Sequence, residues 1–477
     1  MSFAVELRHK NFSENLNSTR KRRGRGGEME EQSTLERGLS NRHVQLISIG
    51  GAIGTGLFLA SGKSIQIAGP SVLLAYALVG MFVFFIMRSL GELLLANLDC
   101  HSFVELAHRY LGRRWAFITG WTYWLCWITV AMSDLTAVGM YVQYWLPHVP
   151  QWVPALLMLV FLLSLNLLSV KLFGEIEFWL ALIKIIAIVA LVVVGVGMVI
   201  FNVQSSNGDV ASFSNLWRHG GFFPHGISGF ILSFQLAVFS FTGAEMVGLT
   251  AGETKDPEKV LPKAINNIPI RILLFYIGSL AVIMAVEPWN LIDPNESPFV
   301  TVFSMVGIPA AASVINFVVL SSAASACNSA LFSTSRMLYG LAKDKNAPQV
   351  FAKLSTRSTP TLALLVSGLV VSITVILNYI MPEGVFELIS GISTMCFLFI
   401  WGVIVVCHMR YLKTTKPENR PHYRLKGGRV LNWVSILFLI GVVIICAVLK
   451  STRPALVVTP IWLLILFFIY QWKFANR

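Results

Sequence analysis

Two glycine-rich stretches inside apolar segments decide the fold: Gly50-Gly51-Ala52-Ile53-Gly54-Thr55-Gly56 and Phe241-Thr242-Gly243-Ala244-Glu245-Met246-Val247-Gly248. A glycine in a helix interior lowers helix stability by about 1 kcal/mol. Four glycines in seven residues therefore favour local unwinding of the first stretch. Non-helical backbone at membrane depth is tolerated only against protein or a water-filled cavity. The two stretches predict broken helices that face the interior of the molecule.

The composition around these stretches is that of a membrane protein. Of 477 residues, 55% are hydrophobic and 13% are charged, whereas a soluble domain carries about 25% charged residues. This excludes a soluble enzyme, a disordered chain and a fibrous one. The apolar residues form runs of about twenty, enough for a helix to cross a hydrocarbon core of about 30 Å. A membrane barrel would show runs of about ten alternating residues.

We count twelve apolar segments and predict an all-α membrane protein with twelve transmembrane helices. The segments lie at roughly 43–63, 69–90, 115–145, 151–172, 177–201, 226–250, 268–288, 308–340, 361–380, 384–409, 430–449 and 455–473. The predicted domains are a disordered basic tail at 1–42, a ten-helix transport core at 43–409, a cytoplasmic loop at 410–429 and accessory helices 11 and 12 at 430–473.

The charges predict the orientation and exclude several partners. The net charge is +13, and 32 of the 37 Lys and Arg residues lie on the side of the two termini, against 3 in the opposite loops. The positive-inside bias therefore places both termini in the cytoplasm. The basic run at 20–25 is interpreted as part of a solvated tail, not as a nucleic-acid site. The six cysteines form no CxxC pair, so we expect no metal, disulfide or cofactor.

The two broken segments occupy matching places. They are the first and the sixth, so each opens a set of five, and by the predicted orientation they run in opposite directions. This pattern is typical of an inverted five-plus-five repeat with a substrate site at the breaks. The alternative for either stretch alone is close helix packing through small residues.

Such breaks favour a zwitterionic ligand. Unpaired N–H groups near Gly54, Thr55 and Gly56 would bind a carboxylate, and carbonyls near Phe239, Ser240 and Phe241 would accept from an ammonium group. The predicted substrate-binding residues are Ala52, Ile53, Gly54, Thr55, Gly56, Phe239, Ser240, Phe241, Thr242, Gly243 and Glu245.

The same residues carry a family resemblance. The run from Arg42-His43-Val44-Gln45-Leu46 to Ile49-Gly50-Gly51-Ala52-Ile53-Gly54-Thr55-Gly56-Leu57-Phe58 resembles the first helix of bacterial amino-acid permeases of the amino acid–polyamine–organocation superfamily. Gly252-Glu253-Thr254-Lys255-Asp256-Pro257 and Ala264-Ile265-Asn266 resemble the loop after their sixth helix. The resemblance extends from about residue 36 to 473.

Three further stretches are most similar to the members of the family that carry D-serine, D-alanine and glycine. They are Thr119-Gly120-Trp121-Thr122-Tyr123-Trp124, Lys171-Leu172-Phe173-Gly174-Glu175-Ile176-Glu177-Phe178-Trp179 and the run from Pro309 to Leu320. The resemblance implies a multi-pass protein of the bacterial cytoplasmic (inner) membrane.

Ionisable residues at membrane depth are functional candidates. Lys184 lies about two turns into the fifth segment, and by resemblance it stands where sodium-coupled relatives bind sodium. We predict a proton-coupling role; the alternative is a permanently charged structural lysine. Glu245 could hold the unwound backbone, bind a cationic part of the substrate or carry a proton. Asp134 is a weaker candidate, for which polar helix packing is as good an interpretation.

Other polar and aromatic residues have structural interpretations beside functional ones. Arg88 and Glu92 are four residues apart, a spacing that suits an interfacial ion pair. Either Phe239 or Phe241 could close over the substrate as a gate. The polar side chains of the eighth segment could reach the substrate or form helix–helix hydrogen bonds; they are Asn316, Ser321 and Ser322.

The sequence thus predicts a secondary transporter, not an enzyme, that imports a small neutral amino acid with a proton. Its partners are the amino acid, the proton and membrane lipid, with no nucleic acid. No Walker motif is present to use ATP directly. Alternatives are a permease for another neutral or aromatic amino acid, an exchanger, and a non-transporting amino-acid receptor. A membrane-embedded enzyme is weaker, because neither HExxH nor GxSxG occurs.

Overall fold

The computed structural model describes seven stretches of the chain, all within a compact unit that spans Arg37–Arg477. They are residues 54–100, 102–167, 170–204, 208–246, 256–305, 309–355 and 359–474, with the side chains of 170–174 and 309 left out. The predicted tail at 1–42 lies outside these residues, as do Ala52 and Ile53 of the first break.

Helices account for most of the described residues. The first part of the chain contains α1 Thr55–Phe58, α2 Ala60–Ala68, α3 Val72–Ala96, α4 Phe103–Leu111, α5 Arg113–Gln143, α6 Trp152–Asn166 and α7 Val170–Ile200. The middle part contains α8 Asn215–Arg218, α9 Gly226–Leu232, α10 Phe234–Ser240, α11 Pro257–Asn266, α12 Ile268–Arg271, α13 Ser279–Val286, α14 Pro298–Ser304 and α15 Pro309–Lys343. The last part contains α16 Thr361–Val371, α17 Ile373–Ile380, α18 Val385–Thr414, α19 Gly428–Val448 and α20 Arg453–Phe474.

The prediction of an all-helical membrane protein is confirmed. Within the described stretches, nine helices are long and apolar enough to cross a membrane, and two shorter apolar helices cover Trp152–Asn166 and Gly226–Ser240. The first of the nine, Ala60–Ala96, bends at a 3-10 turn over Gly69–Ser71 and covers parts of two predicted segments. The twelve-crossing arrangement and its inverted repeat stay predictions.

Several helix boundaries differ from the predicted ones, and two of the differences have a local physical reason. The first apolar helix continues to Ala68 instead of ending at 63, and it stops where Gly69 adopts φ +60 before Pro70. Polar side chains do not end it earlier because Ser64 Oγ donates to the Ala60 carbonyl at 2.8 Å within the helix. The seventh segment begins at Pro257 instead of 268, because a proline at the first helical position needs no N–H partner.

The centre of the bundle is built by α5 and α18. In their most apolar windows 72% and 78% of the residues are buried, whereas the value for α20 is 17%. Helix α5 packs against α15 and α18. Helices α19 and α20 therefore lie at the periphery, and the polar side chains of α5 lie at the centre of the molecule.

A π-helical segment connects α12 to α13. It spans Ile272–Gly278 and contains a buried tyrosine, Tyr276. π-helical turns inside α-helices are frequent at functional sites, because the wider turn redirects the side chains. This one directs Tyr276 toward the end of α10, as described below.

Candidate functional site

Helix α1 begins at Thr55, at the end of the first glycine-rich stretch. Gly54 has an extended backbone (φ −133, ψ −154), and α1 begins at the next residue. The Thr55 hydroxyl donates to Asp134 Oδ1 of α5 at 2.8 Å, and the Thr55 N–H also interacts with this carboxylate. The start of α1 is therefore tied to the most buried part of the bundle. The sequence singled out Asp134 only as a weaker candidate.

The second interruption follows Ser240. Helix α10 ends there, Phe241 to Glu245 form consecutive turns, and Gly243 has φ +91. Such a φ favours glycine, which has no Cβ to clash in the left-handed region. The helical pattern resumes at Met246. The backbone thus leaves the helix over the stretch in which the sequence predicts unwinding.

The three carbonyls at this break have hydrogen-bond partners within the protein. The Phe239 carbonyl accepts from the Thr242 hydroxyl at 2.7 Å, and the Ser240 carbonyl accepts from the Tyr276 hydroxyl at 2.9 Å. The Phe241 carbonyl accepts from the Ala244 N–H at 3.2 Å. A local turn and a neighbouring tyrosine satisfy these groups, because buried backbone acceptors rarely stay unpaired. The Phe239 carbonyl also accepts from the Thr242 N–H at 3.1 Å, whereas the Ser240 and Phe241 carbonyls each keep a second lone pair among the described contacts.

The two interruptions are in direct contact. The Ser240 hydroxyl lies 2.6 Å from the Gly56 carbonyl oxygen and 2.9 Å from the Leu236 carbonyl oxygen. A Cβ added at Gly56 would lie 2.6 Å from Ser240 Cα. Helices α1 and α10 therefore approach as closely as their backbones allow.

Two tyrosines that the sequence did not point to surround this contact together with Phe241. The Tyr76 hydroxyl is 2.9 Å from Ser240 Oγ, and the Tyr276 hydroxyl donates to the Ser240 carbonyl. The Phe241 ring lies 4.6 Å from that of Tyr276 and 6.0 Å from that of Tyr76, between centroids. All three rings are buried. A tyrosine within an apolar helix is the available sequence signal, because a buried phenolic hydroxyl needs a partner.

The second predicted gate residue, Phe239, faces another direction. Its ring meets Phe386 of α18 edge-on, with 5.8 Å between the centroids, and both rings are buried. Phe386 also lines a cavity at one end of the molecule. Phe239 therefore contacts the lining of that cavity through Phe386, whereas Phe241 packs against Tyr76 and Tyr276.

This cavity, here called the vestibule, has a volume of about 550 Å³. Its charged lining comes from Lys63, Asp293, Glu296, Glu383 and Glu387. Lys63 of α2 and Glu387 of α18 form an ion pair with side chains that are 12% and 26% exposed. The Lys63 ammonium also lies 5.6 Å from the centre of the Phe386 ring. The ion pair and the ring therefore separate the vestibule from Phe239.

Glu245 has no exposed surface at the second break. Its carboxylate accepts from the Tyr123 hydroxyl at 3.2 Å and from Trp401 Nε1 at 3.3 Å. The backbone N–H groups of Gly243 and Glu245 also interact with it. These contacts match the first of its three predicted roles, in which the carboxylate holds the unwound backbone.

Lys184 of α7 is buried, with 1% of its surface exposed. Its ammonium group interacts electrostatically with the carboxylates of Glu177 and Asp134. Glu177 precedes Lys184 by seven residues, which places both on one face of α7. The seven-residue spacing is the sequence signal for a pair between Glu177 and Lys184. Glu177 was named above only as part of a stretch that resembles the family.

The polar residues named for the eighth segment make structural contacts. Asn316 Nδ2 donates to the Tyr141 carbonyl at 2.9 Å, and Ser321 Oγ donates to the Val318 carbonyl at 2.7 Å. Further along α15, Ser325 and Asn328 donate to the Glu177 carboxylate at 2.7 and 2.8 Å, and Ser329 also hydrogen-bonds it.

The predicted ion pair between Arg88 and Glu92 is wrong. Arg88 donates to Asn266 Oδ1 at 2.9 Å and packs over the ring of Tyr423. Glu92 is buried, where it contacts His408 Nε2 at 3.1 Å and accepts from the Leu425 N–H at 2.8 Å. The i,i+4 spacing brings the two Cβ atoms near each other, but partners on other helices decide where the charged ends lie.

Metal ligands do not converge anywhere in the described stretches: no group of three His, Cys, Asp or Glu side chains is placed to hold an ion. The six cysteines are buried and unpaired there.

Long apolar helices, with two interruptions that meet in the interior, define the class as a multi-pass membrane transporter. The chain belongs to the amino acid permease family, whose model matches residues 43–477. It is accordingly a transporter and not an enzyme.

Three relatives are similar over nearly their whole length. The chain is 62% identical to the uncharacterized transporter YdgF of Bacillus subtilis (strain 168), over 94% of this chain and 97% of the relative. It is 59% identical to the amino-acid permease AapA of the same organism, over 92% and 96%. It is 50% identical to the D-serine/D-alanine/glycine transporter of Escherichia coli (strain K12), over 91% and 93%.

Proposed function

We propose that this permease imports small neutral amino acids, namely glycine, D-alanine and D-serine, together with protons, by alternating access. The observation that carries the proposal is the contact between the two interruptions at Gly56 and Ser240. In the proposed site the N–H groups of Gly54, Thr55 and Gly56 bind the substrate carboxylate, and the carbonyls near Phe239 to Phe241 bind its ammonium group. Ala52, Ile53, Thr242 and Gly243 complete the proposed lining.

The dimensions of this region support a small substrate. The buried rings of Tyr76, Phe241 and Tyr276 surround the contact between Gly56 and Ser240. We expect these rings to limit the space for a substrate side chain. The name of the relative at 50% identity supports the same substrates.

Proton coupling is supported by the ionisable side chains that connect α7 to the first break. Lys184 interacts with Glu177 and Asp134, and Asp134 in turn bonds Thr55. A change of charge within this group of side chains would therefore alter the electrostatic environment where the substrate carboxylate is proposed to bind. Lys184, which connects the two carboxylates, is the proposed coupling residue.

Alternating access is supported by two cavities of opposite charge. The vestibule carries four carboxylates and one lysine. A second cavity of about 650 Å³ lies beside the C-terminal part of α3, and its lining includes Arg88, Arg424 and Lys426 with a single carboxylate, Glu258. By the positive-inside bias, we infer that the vestibule opens outside a bacterial inner membrane and that the basic cavity and both termini are cytoplasmic. Membrane lipid is the expected surroundings.

The experiment is a counterflow assay in proteoliposomes loaded with unlabelled amino acid. Labelled glycine, D-alanine, D-serine, L-alanine and L-phenylalanine are offered outside in turn. We expect entry of the first three, with L-phenylalanine excluded. Entry of L-phenylalanine alone would contradict the proposed substrates and would favour a permease for an aromatic amino acid. Binding of glycine without any entry would favour a non-transporting receptor.

A further inference from the structure

Two buried carboxylates share a single buried ammonium group at the centre of the molecule. Lys184 interacts with both Glu177 and Asp134, and all three side chains are at most 3% exposed. With all three ionised, the group carries one more negative than positive charge. An uncompensated charge in a site of low dielectric constant is costly, so one of the two carboxylates is the better place for a proton.

The hydrogen bonds distinguish these two carboxylates. Glu177 is satisfied at both oxygens, since Oε2 accepts from Ser325 and Oε1 from Asn328. Asp134 is satisfied at one oxygen only: Oδ1 accepts from Thr55, whereas Oδ2 is buried and accepts no hydrogen bond within the described stretches. A buried ionised oxygen without a donor is far more costly than a neutral hydroxyl. The charge therefore belongs on Glu177 and the proton on Asp134.

The ionisable groups around Asp134 lead to the same assignment. Besides Lys184, they are Tyr141 on its own helix and Cys327 on α15. Neither is a cation at neutral pH, so neither offsets a negative charge on Asp134. Helix α1 contributes Thr55, which does not titrate.

We propose that Asp134 Oδ2 is the binding site of the co-transported proton. This inference rests on the proposed function, in which the substrate carboxylate binds at Gly54 to Gly56, beside Asp134. Two carboxylates cannot share that position cheaply, so substrate and proton bind together and leave together. The proton comes from the outer solution, forms an O–H bond with Oδ2, and is released to water when the site opens inward. Lys184 stays protonated as the counter-charge of Glu177 and holds Asp134 in place.

The test uses purified wild-type protein, Asp134→Asn, Glu177→Gln and the exposed control Asp256→Asn, each in proteoliposomes. Asparagine has the shape of aspartic acid and carries no charge. We expect Asp134→Asn to retain counterflow of the amino acid but to lose accumulation driven by a pH gradient, so that the internal concentration only equals the external one. Asp256→Asn should behave as wild type.

Glu177→Gln tests whether the proton binds to Asp134 or to Glu177. Without Glu177, Lys184 pairs with Asp134 alone and favours its ionised form. Accumulation should therefore persist, while the pH at which half of it is lost shifts downward. Accumulation lost in Glu177→Gln and kept in Asp134→Asn would assign the proton to Glu177 and overturn the proposal.

If Asp134→Asn folds poorly, a second measurement on the wild-type protein tests the same proposal. Titration of wild type with amino acid in weakly buffered detergent, at a pH high enough for substrate-free Asp134 to have lost its proton, should show uptake of one proton per amino acid bound. By linkage, affinity should fall by about tenfold per pH unit above the range in which Asp134 binds its proton. No proton uptake in wild type, or gradient-driven accumulation by Asp134→Asn, overturns the proposal. So does complete loss of binding of the amino acid by a folded Asp134→Asn when deaminated analogues still bind, because Asp134 would then hold the substrate ammonium group.

The amino acid in these assays is whichever one the wild type carries in counterflow. A wild type that carries L-phenylalanine alone refutes the proposed substrates but leaves the assignment of the proton testable. Failure of Asp134→Asn to uncouple refutes the assignment of the proton but leaves the substrates unaffected.

Discussion

The Gly56 carbonyl and the Ser240 hydroxyl, 2.6 Å apart, join the two interrupted helices. Helix α1 is in its first turn at Gly56, and α10 ends at Ser240. Neither end can move without breaking a buried hydrogen bond. A movement of one interrupted helix is thereby transmitted to the other, which is what a transporter with a shared central site requires.

Gly56→Ala should abolish transport. The added Cβ would lie 2.6 Å from Ser240 Cα, which belongs to the backbone and cannot rotate aside. Helices α1 and α10 would have to separate. Counterflow of labelled glycine by the variant should fall to the level of empty liposomes.

The matched control for Gly56→Ala is Gly441→Ala. Gly441 lies on the peripheral helix α19, where an added Cβ would meet no atom within 4 Å. Alanine favours helix by about 1 kcal/mol over glycine, so this variant should transport normally and melt no lower than wild type. Equal activity of the two variants would contradict close contact at Gly56.

Tyr276→Phe should destabilise the protein more than Tyr76→Phe. Removal of the Tyr276 hydroxyl deprives the buried Ser240 carbonyl of its donor, at a cost of about 1–3 kcal/mol. In Tyr76→Phe the Ser240 hydroxyl keeps the Gly56 and Leu236 carbonyls as acceptors. Thermal unfolding in detergent measures both variants, with the exposed Tyr379→Phe as the control. The reverse order would contradict the assigned bonds.

Glu245→Ala should be more damaging than Glu245→Gln. Alanine leaves the Tyr123 hydroxyl and the Trp401 N–H without their acceptor, and both donors are buried at the centre. Glutamine keeps one acceptor oxygen. We expect a loss of about 2 kcal/mol or more of stability for alanine and a smaller loss for glutamine. If glutamine abolishes coupled uptake while stability stays unchanged, Glu245 carries a proton and does not merely hold the break.

Reversal of the ion pair between Lys63 and Glu387 tests whether it closes the vestibule. Lys63→Glu and Glu387→Lys each place two like charges side by side between α2 and α18. Each should slow uptake, and the double variant should recover part of the rate, with a coupling energy of about 1 kcal/mol. Strictly additive effects in the double-mutant cycle would show that the two side chains do not act together.

Glu287 should make stability depend on pH. It follows α13 outside the apolar helix, and burial, with the neighbouring Glu296 carboxylate, raises its pKa from 4.5 to about 7. A carboxyl whose pKa is higher in the folded state binds more protons there. Its contribution to stability is complete below the unfolded pKa and is lost as the pH rises through about 7.

Glu287→Gln should therefore melt higher than wild type at about pH 9 and no higher at about pH 5. The exposed Glu418→Gln is the control. If the melting temperatures of wild type and Glu287→Gln differ by the same amount at every pH in this range, the raised pKa of Glu287 is refuted.

The helical part of the fold could be predicted because the bilayer fixes helix length. The third predicted segment, 115–145, is within two residues of α5, Arg113–Gln143. The stretch predicted to unwind after Ser240 also leaves the helix, because glycine and turn-forming residues act locally. These features depend on residues close together in the chain.

The partners of individual side chains could not be predicted, because they depend on residues far apart in the chain. Glu92 contacts His408, 316 positions away, in preference to Arg88 on its own helix. Nothing in the spacing of Tyr76 or Tyr276 places their hydroxyls on Ser240, since a π-helical segment directs one of them there. The contact between Asp134 and Thr55, which makes Asp134 a candidate proton site, likewise joins residues that are far apart in the chain.

Proton-coupled import is best measured as the accumulation of labelled glycine and D-alanine in proteoliposomes under an imposed inward pH gradient. We expect both amino acids to accumulate above the external concentration, and we expect an uncoupler to abolish this accumulation. Glycine that equilibrates at the same rate and to the same level with and without the gradient would contradict proton-coupled import.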